Sequence, residues 1–270
     1  MSNIALPMLF ALLLWWFSTG VILYLDSLPR RSFRWSLAGA SVLAMLALVG
    51  VAQSSSMATP AGAYLAFTAA VTIWGWLEMS YLMGWITGPW RKPCPPGVTG
   101  FARFKLALRT SLYHEAAVTA VGATLLVLCR DVANPLAAHI FLVLWLMRWS
   151  SKLNVFLGVP NLNEEFLPEQ LGYLTSFMPR RPMNLFFPLA VTVATVITAQ
   201  LFHAAATAES DSFAATADSL LAALMLLAVL EHWFLVLPLQ DATLWRWALQ
   251  VRQRRVHIEP QLAVTPATGE

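Results

Sequence analysis

The chain has 270 residues, 58% of them hydrophobic and only 11% charged, with a formal net charge of +3. Soluble domains carry about 25% charged residues, so this chain falls outside that class. So small a positive balance also gives no reason to expect a nucleic-acid partner.

A membrane-crossing helix needs about 20 mostly apolar residues, and the sequence offers roughly seven such stretches. They cover residues 4–25, 35–52, 61–88, 111–129, 134–153, 184–206 and 213–238. The first lacks a basic leader and a small-residue cleavage site, so it reads as a retained helix rather than a signal peptide. Short polar segments at 53–60, 130–133 and 207–212 separate the spans on one side. On the other side, residues 89–100 contain a proline run that forbids a helix. Residues 101–110 mix bases with apolar residues and are expected to lie along the membrane surface. The fifth stretch is interrupted by Arg148 and Lys152. The loop that follows, 154–183, is too apolar to be a linker and is expected to fold over the mouth of the bundle. Its Asn161, Asn163, Glu164 and Glu165 are candidate partner-facing residues. The tail 256–270 has no periodicity and is expected to be disordered, leaving 1–255 as one membrane domain.

Of the 17 Lys and Arg, all but Arg130 end or follow the odd-numbered spans. The positive-inside rule makes that side cytoplasmic. The expected fold is therefore an all-α polytopic membrane bundle with a periplasmic N-terminus and a cytoplasmic C-terminus. Cys94 and Cys129 fall on opposite sides of the bilayer and cannot pair. Trp85, Trp90, Trp149, Trp233, Trp245 and Trp247 sit near inner helix ends, as an interfacial aromatic belt does. His139 is expected as a hydrogen-bonded core histidine, and Met79, Met83 and Met147 as packing residues.

Ionisable residues inside spans are costly and mark functional candidates. At 1.5 Å per residue, Glu78 lies about 26 Å from the outer end of the third span, and Glu231 and His232 about 27–29 Å from that of the seventh. Arg148 and Lys152 fall at about 21 and 27 Å, and His114 and Glu115 open the fourth span near the same level. With Asn154, these residues form one expected polar layer in the inner part of the bilayer. Three chemistries fit it. Glu78, Glu115 and Glu231 could neutralise Arg148 and Lys152, which share a helix face. Glu78, His114, Glu115, Glu231 and His232 could supply a di-metal (iron) site in the bundle core, although adjacent Glu/His pairs are not the Glu-x-x-His spacing such sites use. A neutral histidine could also ligate the magnesium of a bacteriochlorophyll or its precursor, or an acid could relay protons to a quinone. Gly-x-Ser-x-Gly, His-Glu-x-x-His and phosphate-loop motifs are absent, so hydrolase and nucleotide-driven readings have no support.

Four stretches carry a resemblance. Tyr113-His114-Glu115, the run from Trp76 to Pro89 (WLEMSYLMGWITGP), the run from Lys152 to Pro168 (KLNVFLGVPNLNEEFLP) and that from Leu230 to Pro238 (LEHWFLVLP) resemble the PuhE-type photosynthetic complex assembly proteins of purple phototrophic bacteria. The resemblance spans about residues 1–255. It implies a multi-pass factor of the bacterial inner membrane that supports assembly of the reaction centre and core antenna, or their bacteriochlorophyll supply, with subunits of those complexes as partners. It assigns no catalytic residue. The alternative is a metal-dependent membrane oxidoreductase acting on a tetrapyrrole, carotenoid or quinone through the Glu/His cluster.

Overall fold

The computed structural model describes residues 2–162, 164–238 and 241–251. The tail expected to be disordered, and Asn163 of the loop, lie outside the described residues. Among those described there is no strand, only an isolated bridge between Val159 and Arg180. The helices are α1 (Ser2–Asp26), α2 (Phe33–Ser54), α3 (Pro60–Leu82), α4 (Gly100–Thr110), α5 (Leu112–Leu128), α6 (Leu136–Leu157), α7 (Phe186–Thr207) and α8 (Phe213–Phe234). Five of them (α1, α2, α6, α7 and α8) are long and apolar enough to cross a membrane. A sixth span is available if α4 and α5, bent by 65° at their junction, count together.

Helices α3 and α8 form the inside of the bundle. α3 packs on α1, α2, α5, α6 and α8, while α8 packs on α1, α3, α6 and α7. Their buried faces are rich in alanine, with Ala63, Ala66, Ala69 and Ala70 on α3 and Ala215, Ala217, Ala222 and Ala223 on α8. Small side chains let apolar helices approach closely where hydrophobic burial alone gives no drive to associate. The outer helices are inverted relative to a soluble protein. Leu43, Met45 and Leu46 of α2 and Leu189, Val193 and Val196 of α7 face outward and are exposed. Apolar exposure on that scale needs a lipid or protein partner.

Local chemistry sets the helix ends. Thr59 caps α3 by accepting from the Gly62 amide at 3.2 Å, with Pro60 behind it. Ser212 caps α8 through the Ala215 amide at 3.1 Å. α3 stops at Leu82, six residues short of the 61–88 stretch read from hydropathy. Gly84 adopts φ +79°, and the amides of Gly84 and Trp85 bond back to Tyr81 O and Ser80 O. This is a Schellman stop, which needs a residue free to take positive φ. An apolar run does not reveal such a stop. α6 instead runs on through Asn154 to Leu157, where the loop had been expected to begin. His139 belongs to the first turn of α6 and is exposed, not a core histidine; its neighbours Ala138 and Ile140 are buried, so its direction around the helix axis sets its exposure.

The segment between α6 and α7 is folded against the helix ends and knits them together. Gln170 Nε2 donates to Asp26 Oδ1 (3.1 Å) and to Leu82 O (2.6 Å), joining the ends of α1 and α3. Asn161 Nδ2 donates to Phe234 O at 2.8 Å and also to Leu237 O, closing the end of α8. Asn184 Nδ2 donates to Asn154 O and Gly158 O at the end of α6, while its Oδ1 accepts from the Phe186 and Phe187 amides at the start of α7. Each amide thus satisfies backbone groups that a helix end leaves open. Arg103 of α4 ties the same segment down by donating to Phe177 O at 2.6 Å.

Residues 241–251 return along α1. Trp245 Nε1 donates to Trp16 O at 3.0 Å, and Trp16 Nε1 donates to Leu244 O at 3.1 Å. Trp247 lies so close to Gly20 that a Cβ there would fall 2.3 Å from its ring. Trp245 is therefore a buried packing residue and not a member of an interfacial belt.

Candidate functional site

The charged layer forms where α3, α5 and α6 meet. Arg148 of α6 stands between two acids, with Nε 2.6 Å from Glu78 Oε1 on α3 and Nη1 3.1 Å from Glu115 Oε1 on α5. Lys152, one turn on, reaches the same Glu115 oxygen at 2.5 Å and Ser111 Oγ at 3.1 Å. Tyr81, one turn after Glu78, lies under both cations, 5.4 Å from the Arg148 guanidinium carbon and 5.8 Å from Lys152 Nζ. Two acids, two bases and an aromatic face make a network in which each charge has an opposite neighbour, the condition under which buried ions are tolerated.

Helix phase explains the assembly. Arg148 and Lys152 are four residues apart, and Glu78 and Tyr81 three apart, so each pair shares a face. Glu115 is placed by a close backbone contact beneath it. Gly88 packs against the α4–α5 junction so tightly that a Cβ would fall 2.1 Å from Arg109 O. The Thr87 carbonyl accepts from the His114 amide at 2.9 Å, and the Arg109 carbonyl accepts from the Trp90 amide at 3.3 Å.

His114 is wholly enclosed beside this network. Its Nε2 is 3.9 Å from Glu78 Oε1, and its ring lies 4.8 Å from that of Tyr81. Neither ring nitrogen has a hydrogen-bond partner among the described residues, and neither does Glu115 Oε2. His232 of α8 is differently placed. Its Nδ1 is 2.8 Å from Ala228 O, which can only accept, so that nitrogen carries the proton. Nε2 then accepts from Ser150 Oγ at 2.9 Å. Both nitrogens of His232 are committed, and the residue fastens α8 to α6. Asn154 belongs to the same seam, donating to Ser150 O at 3.0 Å. The expected layer is thus two clusters: Glu78, His114, Glu115, Arg148 and Lys152 on one side of α6, and Asn154 and His232 on the other.

Glu231, next to His232, faces a cavity of about 300 Å³ between α1, α3, α6 and α8. Its walls are mostly apolar and include Trp15, Trp74, Val143 and Leu224, with the charged groups Glu78, Arg148 and Glu231, and Ser151, toward one end and the hydroxyls of Ser18 and Thr19 on α1. Val71 and Leu82 of α3 bracket it, a length of about 16 Å along the helix. An apolar chamber with a few polar groups at one end is the general form of a small-molecule site. It suits an amphiphile with a hydrocarbon body and a hydrogen-bonding head. Neither His114 nor His232 lines it, so neither of the imidazoles proposed as magnesium ligands reaches this chamber. Among the described residues no three His, Cys, Asp or Glu side chains are grouped so as to hold a metal ion. Arg148 fills the space between the two carboxylates that such a centre would bridge.

Of the loop residues expected to face a partner, Asn161 is turned inward onto α8. Glu164 and Glu165 are exposed, and Glu164 pairs with Arg180 at 3.0 Å. Tyr81, Ser111, Ser150 and Asn184 take part in these contacts and were not singled out from sequence. Tyr81 was within reach, because it lies three residues after Glu78. Asn184 was not, because its partners lie on two other segments.

A family model described as "Protein of unknown function (DUF3623)" matches residues 1–256. A Rhodobacter capsulatus protein bearing the name "Uncharacterized 30.4 kDa protein in puhA 5'region" is 38% identical over 253 residues, which cover 92% of each chain. No solved structure matches the chain.

Proposed function

The chain belongs to the DUF3623 family, and from that premise we propose that it is an integral membrane factor of the PuhE type, supporting assembly of the photosynthetic reaction centre and core antenna or their bacteriochlorophyll supply. The Rhodobacter relative is named for its place in the puhA 5' region, which supports a role beside the photosynthetic apparatus. The geometric observation that carries the non-enzymatic reading is the mutual neutralisation of Glu78, Glu115, Arg148 and Lys152. These groups hold helices together and leave the neighbouring chamber a place to hold an apolar group rather than to transform one. Among the described residues no cluster of metal ligands supports the alternative, a metal-dependent oxidoreductase.

In this reading α1, α2, α3, α5, α6, α7 and α8 are seven spans of the bacterial inner membrane, with α4 on its inner surface. The N-terminus is periplasmic and the folded segment between α6 and α7 is cytoplasmic. The bases support that orientation, since Arg30, Arg91, Arg103 and Arg180 gather at one end and Arg130 lies at the other. The exposed Glu164 and Glu165 edge is the surface offered to reaction-centre or antenna subunits.

Deleting the gene in its native host tests this role. The expected result is a fall in assembled core complex and in bound bacteriochlorophyll, restored by the wild-type gene. Unchanged levels of both would rule the role out.

A further inference from the structure

A second concavity, separate from the chamber, lies where the α1–α2 turn meets the end of α3. It holds about 500 Å³, and four arginines line it: Arg30 and Arg31 from the turn, Arg34 from the first turn of α2 and Arg91 from beyond α3. Gly84 and Gln170 complete its floor, and no acid lines it. Among the described residues, the ion pair these arginines make joins Arg30 to Glu169 at 3.9 Å, between side chains that are 64% and 93% exposed. A pair so exposed neutralises little.

Positive charge at the inner ends of spans is ordinary and needs no ligand. Two further features go beyond it. The arginines come from segments some sixty residues apart in sequence and converge on one concavity, where four like charges repel unless an anion sits among them. All four are arginine, whose planar guanidinium matches phosphate oxygens two at a time. Next to them a groove of about 310 Å³ runs between α2 and α3, sharing Arg34 and Trp85 with the arginine concavity. Leu37, Ala38, Trp76 and Ile86 make it apolar, and it reaches Ser41, about 12 Å along α2 from Phe33. Ser41 Oγ is already engaged by Trp76 Nε1 at 3.0 Å, so the groove presents a hydrocarbon surface.

We infer that this is a binding site for an anionic phospholipid, with its phosphate among Arg30, Arg31, Arg34 and Arg91 and one acyl chain in the α2–α3 groove. Basic pockets between spans beside a bilayer surface hold anionic headgroups in this manner. The inference rests on the chain being a membrane bundle and is independent of any role in photosynthetic assembly.

The test is native mass spectrometry of the full chain, released from detergent after exchange with equal amounts of phosphatidylglycerol and phosphatidylethanolamine. The wild type should retain phosphatidylglycerol selectively. The triple variant Arg31→Gln, Arg34→Gln, Arg91→Gln should lose that retention by at least about tenfold. The triple variant Lys105→Gln, Arg109→Gln, Arg180→Gln, with the same loss of charge elsewhere, should keep it. Ile86→Trp, which fills the groove, should weaken the lipid adduct without changing the adduct with inorganic phosphate. Equal losses in both triple variants would reduce the site to diffuse surface charge. An Ile86→Trp protein that retains lipid as the wild type does would overturn the acyl-chain assignment, and wild-type retention of both lipids alike would overturn the site.

Discussion

Replacing Glu115 with glutamine should cost about 3–5 kcal/mol of stability, the usual result of removing one partner from a buried ion pair. The side chain keeps its shape, so packing is preserved and only the charge is lost. One Glu115 oxygen serves both Arg148 at 3.1 Å and Lys152 at 2.5 Å. Without it, Lys152 is left with Ser111 and Arg148 with Glu78. Lys152→Met should be milder, because Glu115 retains Arg148. Combining the two should cost less than the sum of the separate changes, with a coupling of about 1–3 kcal/mol. Thermal unfolding in detergent, followed across the four proteins of the cycle, gives the comparison. Raising salt should change the coupling little, since the Glu115 carboxylate is enclosed. Additive losses would mean that the two side chains do not act as a pair.

The second large effect is expected at Gly88. An alanine there adds one carbon, yet that carbon would lie 2.1 Å from Arg109 O and 2.6 Å from the Thr110 carbonyl carbon, both main-chain atoms. The backbone must move, and the motion pries apart the contact that sets His114 and Glu115. Membrane accumulation and melting temperature of Gly88→Ala should both fall sharply. Gly39→Ala is the matching control, because a Cβ at Gly39 meets nothing within 4 Å. That residue is inside α2, where alanine favours the helix by about 1 kcal/mol over glycine. Gly39→Ala should therefore be neutral or stabilising. If both variants behave alike, the junction does not position the network.

Much of the architecture could be read from the chain because the bilayer imposes a simple rule on it. Lengths of apolar sequence are local and additive, so the existence of the long helices, and the common level of Glu78, Glu115, Arg148 and Lys152 along them, followed from counting. Rotation about the helix axis did not. His232 and Glu231 are adjacent in sequence, yet one is locked between Ser150 and Ala228 while the other lines the chamber. Depth alone cannot separate them, since neighbours on a helix differ by about 100° in direction. The end of α3 was misplaced for a related reason. Trp85 and Ile86 are as apolar as the helix before them, and only the φ of Gly84 marks the stop. The return of residues 241–251 along α1 depends on Gly20 leaving room for Trp247, a complementarity between distant segments that no window of sequence contains.

In the proposed function, the chamber between α1, α3, α6 and α8 is the place where the chain acts in building the photosynthetic complex. Gly75 lines it, and a Cβ at that position meets only the Ile22 side chain, at 3.4 Å, so a larger residue can enter the space. The decisive measurement is the amount of assembled reaction centre and core antenna in a strain whose sole copy carries Gly75→Leu, alongside the amount of the variant in the membrane. The variant should accumulate as the wild type does, with core complex reduced to the level of the deletion strain. Core complex at the wild-type level, with the chamber filled, would contradict that use of the chamber.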